Sequence, residues 1–252
     1  MLALTREVSP AIDRCQLTHL LRTPIDLRRV QAQHEAFERA LVQLGCTIRR
    51  VPPAPDLPDA VFVQDAALVF DELAVITRPG AESRRAETAT VATALAPFRP
   101  LRSIEPPGTL DGGDVVCLER SVFVGRTART NDEGARQLAD MLQPRGYSVR
   151  SVTPSGCLHL QTAVTPVADR VLLVNPEWID AKVFRDLEVI EVDAAESFGA
   201  NALRVGEAIV YPAAFPRTRA RLEERGLKVL TVDVSELAKA EGGVTCCCIL
   251  VP

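Results

Sequence analysis

Apolar positions along the chain follow a plan that recurs. Four stretches pass from an apolar segment through a Pro- or Arg-rich turn into helical spacing: Leu73–Leu95, Val122–Leu142, Val171–Leu187 and Ala208–Arg225. In the second, Ala135, Leu138, Ala139 and Leu142 recur at three- and four-residue intervals, which predicts one buried helix face. Val30–Leu44 predicts a fifth helix of the same kind, ended by Gly45 in the manner of a C-cap glycine. Each helix is followed by a short alternating strand: Thr47–Val51, Leu101–Ile104, Ser148–Val152, Val189–Val192 and Lys228–Val232. After a turn comes another β-prone segment, beginning at Val61, Asp111, Leu158, Ala200 and Gly243.

A period of roughly fifty residues repeated five times fits one ring-like α/β domain over residues 1–252 better than a doubly wound sheet. Rings of short sheets leave a central channel where corresponding strand ends converge. Polar residues interrupt the apolar segments at matching points of the repeat: Gln64 and Asp65, Asp111 and Asp114, His159, Asn201, and Cys246. Their equivalence predicts that they meet near the axis and share a pocket.

Composition narrows the partner. The 252 residues are 47% hydrophobic and 25% charged, as in a soluble globular protein. No apolar run reaches the ~18 residues of a membrane span, and the start, MLALTREVSP, turns polar too soon for a signal peptide. A net charge of −4 without a Lys/Arg block argues against nucleic acid and for a small molecule. Seven cysteines, three of them consecutive, with no CxxC and only three histidines, predict reduced thiols in the cytoplasm and no structural zinc.

Among these residues, Cys246 follows GGVT, where glycines let backbone approach a ligand, whereas Cys247 and Cys248 read as small core residues. A nucleophilic thiolate needs a histidine or positive surroundings, and His159 occupies the matching point of another unit. His19 and His34 read as structural. Asp111 and Asp114 of DGGD, with Asp59 and Asp65, sit in apolar contexts that demand partners; an acid beside the histidine would orient its ring. Several acids around a thiol suit a cationic substrate. Arg84 and Arg129 lie in matching turns and serve either as surface charge or as bidentate holders of a carboxylate, while Arg85 reads as surface charge.

PDAVFVQD, ITRPGAESRR, GTLDGGDVV, GRTARTNDEGARQ, LHLQT, YPAAFPRTR and GGVTCC together resemble the dimethylarginine dimethylaminohydrolase family of the guanidino-modifying (pentein) superfamily, nearly end to end. The resemblance implies a five-bladed ββαβ propeller and hydrolysis of an Nω-methylated arginine to citrulline and methylamine or dimethylamine. It implies Cys246 as nucleophile, His159 as general acid/base and Asp111 as third catalytic member. Asp59 and Asp65 match the carboxylates that hold the guanidinium, Arg84 and Arg129 the arginines that hold the amino-acid carboxylate. Leu17 matches a lid leucine, and Ala240 a backbone carbonyl that meets the substrate amino group. No metal or organic cofactor is implied, and the family forms monomers or homodimers. Gln64 departs from the pattern by replacing a substrate-contacting glutamate, which would weaken cation binding or admit a neutral ureido group. That departure keeps open a deiminase or amidinotransferase acting on another guanidino compound; a non-catalytic binder of cationic amino acids is the reading from another class.

Overall fold

Strands pair in threes. In the computed structural model, which describes residues 1–252, five three-stranded sheets are arranged as blades. In each blade the first strand runs antiparallel to the second, and the second parallel to the third. Ala67–Val69, Ala74–Ile76 and Leu101–Ser103 form one blade; Val115–Leu118, Ser121–Gly125 and Ser148–Val152 form the next. Val164–Ala168, Val171–Val174 and Glu188–Glu191 follow, then Leu203–Val205, Ala208–Pro212 and Lys228–Val232. The last blade joins both chain ends: Ile249–Val251 pairs with Leu2–Thr5, which pairs with Thr47–Arg50. First strands of successive blades pack on one another around the axis, as Ile249–Val251 does on Ala67–Val69.

Parallel pairing needs a crossover, and the repeated helix supplies it. Leu27–Gln43 begins at Asp26, whose carboxylate accepts the Arg29 N–H; Asp132–Leu142 begins at Asn131, whose side chain accepts the Gly134 N–H. Ala135, Leu138 and Leu142 are buried against Leu110, Val115 and Val122, one of five apolar clusters.

Two expectations are corrected. The unit over Val171–Leu187 contains no α-helix, only a 3-10 turn at Ala181–Phe184. Asn175 takes up the backbone instead: its side chain accepts the Glu177 N–H and its carbonyl accepts those of Trp178 and Ile179. The segments that carry the polar residues are also not strands at those positions. Val63–Ala66, Gly112–Asp114, Leu160–Ala163 and Ser197–Ala200 are single helical turns, and residues 244–247 are a turn, each leading into the first strand of its blade.

Candidate active site

Those entry turns bring Asp65, Asp111, His159 and Cys246 together at one end of the channel. The glycines of DGGD make the approach possible. A Cβ on Gly112 would lie 2.0 Å from the Gln64 carbonyl oxygen, and one on Gly113 would lie 2.7 Å from His159 Nδ1. In their absence the Gly113 N–H donates to Asp65 Oδ1 at 2.9 Å.

His159 Nε2 lies 3.0 Å from Asp111 Oδ2, and Nδ1 lies 3.9 Å from Asp65 Oδ1. Asp111 is held in turn: its Oδ1 accepts the Gly80 N–H and its own N–H donates to Thr130 Oγ1. Burial alone would push the imidazole down, but the charges of Asp65 and Asp114 and the bond to Asp111 raise it to about 9. It is therefore an imidazolium at neutral pH. Asp114 lies beneath, accepting from Thr127, Thr130 and the Leu160 N–H, and burial raises it to about 6.

Asp65 is fully buried beside the ring. Burial works to raise its pKa, yet His159 and Arg84 bring it down to about 2. Arg84 Nη1 donates to Asp65 Oδ2 at 2.7 Å, while Nε and Nη2 donate to Glu87 at 3.1 and 2.9 Å. Nη2 also meets the carbonyls of Asp59 and Phe62. Arg84 lines the cavity, and these bonds leave it one unengaged Nη1 hydrogen. Arg129 differs. Its Nη2 donates to Thr18 Oγ1 at 3.3 Å, and its buried Nη1, without a hydrogen-bond partner, lies 3.5 Å from Asp111 Oδ2.

The Cys246 sulfur accepts the Gly243 N–H at 3.4 Å and sits 3.9 Å from Thr245 Oγ1, which itself accepts from Asn201 at 2.8 Å. Desolvation, reinforced by the Asp65 charge, raises the thiol to about 11. Cys247 and Cys248 are core residues, 1% and 2% exposed.

The cavity is lined by Asp59, Asp65, Arg129, His159, Ala240 and Cys246, among others. Asp59 accepts the Gln16 N–H through both oxygens, and the Ala240 carbonyl accepts no hydrogen bond within the chain. Asp65, Asp111 and His159 are close enough to share an ion, and two cations stand beside the carboxylates: Arg84 2.7 Å from Asp65 and Arg129 3.5 Å from Asp111. Two further residues lie outside the lining of this cavity. The Gln64 carboxamide donates to the Gly112 carbonyl and lines a separate cavity. Leu17 lies on the segment over the site, half-buried against the core, and Gln16 rather than Leu17 lines the cavity. Glu87, Thr130, Thr245 and Glu241 escaped the sequence reading; only Glu87, three residues after Arg84, carried a local signal.

The family model "N,N dimethylarginine dimethylhydrolase, eukaryotic" matches residues 6–251. The chain is 39% identical over 223 residues to the N(G),N(G)-dimethylarginine dimethylaminohydrolase of Pseudomonas aeruginosa, covering 88% of each chain. It is 40% identical over 247 residues to that of Streptomyces coelicolor, covering 97% of this chain and 94% of the other. A cysteine-to-serine mutant of the Pseudomonas aeruginosa enzyme, complexed with citrulline, superposes with a TM-score of 0.94 over 98% of both chains at 36% identity. The N-terminal domain of a cyanobacterial arginine dihydrolase shares the pentein fold at a TM-score of 0.85 and 20% identity. This chain belongs to the dimethylarginine dimethylaminohydrolase family.

Proposed function

We propose that the protein hydrolyses Nω-methylated arginine to citrulline and methylamine or dimethylamine through a covalent intermediate on Cys246. The observation that carries this reading is the buried His159, backed by Asp111, facing one cavity with a desolvated thiol and the carboxylates of Asp59 and Asp65. The guanidinium takes its place among the carboxylates, the amino group meets the free Ala240 carbonyl, and the α-carboxylate meets Arg129.

The charges set the order of events. With His159 cationic and Cys246 a thiol, a cationic guanidinium against the sulfur favours the thiolate, and the thiol proton leaves to solvent. The thiolate adds to the guanidinium carbon. His159 delivers its proton to the departing amine, the C–N bond breaks, and a thiouronium remains on Cys246. The neutral imidazole then takes a proton from water, whose oxygen attacks the same carbon. As the C–S bond breaks, the hydroxyl of the adduct passes its remaining proton to the departing sulfur, leaving citrulline and the Cys246 thiol.

Incubation with asymmetric dimethylarginine is expected to release citrulline and dimethylamine in equal amounts, and Cys246→Ser to abolish both. Absence of release from well-folded protein, or wild-type turnover by Cys246→Ser, would overturn this reading.

A further inference from the structure

Residues 16–21 cross the mouth of the site without regular secondary structure, and of their leucines only Leu17 packs against the core. Leu20 and Leu21 are 37% and 91% exposed. Polar ties do the holding. Asp59 and Arg129 supply two, at Gln16 and Thr18, and both residues also belong to the substrate cavity. A third tie converges on one side chain: Glu241 Oε2 accepts the Thr18 N–H at 2.9 Å, and Oε1 accepts those of His19 and Leu20, each at 2.6 Å. Consecutive N–H groups around one carboxylate make an anion nest.

The backbone at Glu241 gives an independent sign. Its φ is +58°, a left-handed conformation unfavourable for a residue with a side chain, directly before Gly242 and Gly243. A glycine would adopt it freely, so the position retains a side chain at a cost in backbone energy. Glu241 also lines both the site cavity and a larger one beside it, the two meeting at Cys246.

We propose that Glu241 is the latch of the site: its carboxylate clasps the N–H groups of Thr18, His19 and Leu20 and holds residues 16–21 over the bound substrate. It is a positioning residue that contributes to binding in ground and transition states alike. Its loss therefore raises KM more than it lowers kcat.

The test compares Glu241→Ala, Glu241→Gly and Glu241→Gln with wild type by amide hydrogen exchange and by kinetics on asymmetric dimethylarginine. Glycine relieves the left-handed backbone, so Glu241→Gly separates loss of the carboxylate from misfolding. Exchange across residues 18–20 is expected to quicken about tenfold or more in the Ala and Gly variants, with KM raised about tenfold and kcat within about threefold. Glu241→Gln, which keeps the oxygen able to accept two of the three bonds, should lie between. Wild-type exchange in both the Ala and Gly variants overturns the latch, as does a fall in kcat with KM unchanged. The kinetic arm rests on the proposed hydrolysis. Should wild type release no dimethylamine, that reading fails, while the exchange arm decides the latch alone.

Discussion

At the scale of single residues, the two site arginines differ in what they hold. Arg84 is buried between Asp65 and Glu87. Arg84→Met strands two carboxylates and is expected to cost about 3–5 kcal/mol of stability, read from a urea unfolding curve. Arg129→Ala removes a guanidinium that neighbours one carboxylate, Asp111, at 3.5 Å without a hydrogen bond, and should chiefly raise KM, with a smaller loss of stability. Equal destabilisation by the two would refute this division.

His159 and its acids also set how stability varies with pH. The imidazole is raised from 6.5 to about 9, so its contribution is complete below pH 6.5 and is lost as pH rises through 9. Asp65 is depressed from 3.8 to about 2, so its contribution holds above pH 3.8 and is lost as pH falls through 2. The melting temperature is therefore expected to fall between pH 7 and 9.5, and to fall less steeply in His159→Asn. Identical slopes in the two proteins would assign the decline to other groups.

At the scale of elements, the turn entering each blade matters more than the strand behind it. Gly112–Asp114 fits against the Val63–Ala66 turn and His159 because it lacks side chains where the backbones meet. Gly113→Ala would force a methyl against His159 Nδ1 and Asp65 Oδ1. A displacement of that size at the acid/base should reduce kcat/KM about a hundredfold with the circular dichroism spectrum retained. Unchanged kcat/KM would mean that the turn can yield. Strands and helices with strong periodicity were legible along the chain: the predicted Lys228–Val232 and Ser148–Val152 have the observed bounds. The entry turns were not legible, because their apolar residues are buried by the ring and imitate a strand pattern. The missing helix after Val171–Val174 has a similar cause, since Asn175 bonds locally where a helix would begin.

At the scale of the whole molecule, the ring is closed by hydrogen bonds between the two ends of the chain. Ile249 and Val251, 4% and 3% exposed, pair with Leu4 and Leu2, and the Cys246 turn runs directly into that strand. Burying each such side chain is worth roughly 1.5–3 kcal/mol, a substantial share of the 5–15 kcal/mol that holds a typical domain together. Removing residues 249–252 is therefore expected to abolish a single cooperative unfolding transition and the reactivity of Cys246 together. A truncated chain that still unfolds in one sharp transition would show that the ring does not need its last strand.

The chain alone determined the five-unit plan, because burial with a period of two or three to four residues is a local property that each segment carries. It also marked Asp65, Asp111, His159 and Cys246, since polar residues at equivalent points of an apolar repeat stand out wherever the repeat closes. What only the closed ring decided was the partner of each polar group. Gln64 and Asp65 are neighbours in sequence, yet the Val63–Ala66 turn sends one to the Gly112 carbonyl in a separate cavity and the other to His159. Glu241 reaches Thr18 across 223 positions, and Arg129 reaches the same residue across 111. A hydrogen bond is fixed by geometry within about 3 Å, and no periodicity along the chain encodes a contact that arises only when its ends are brought together.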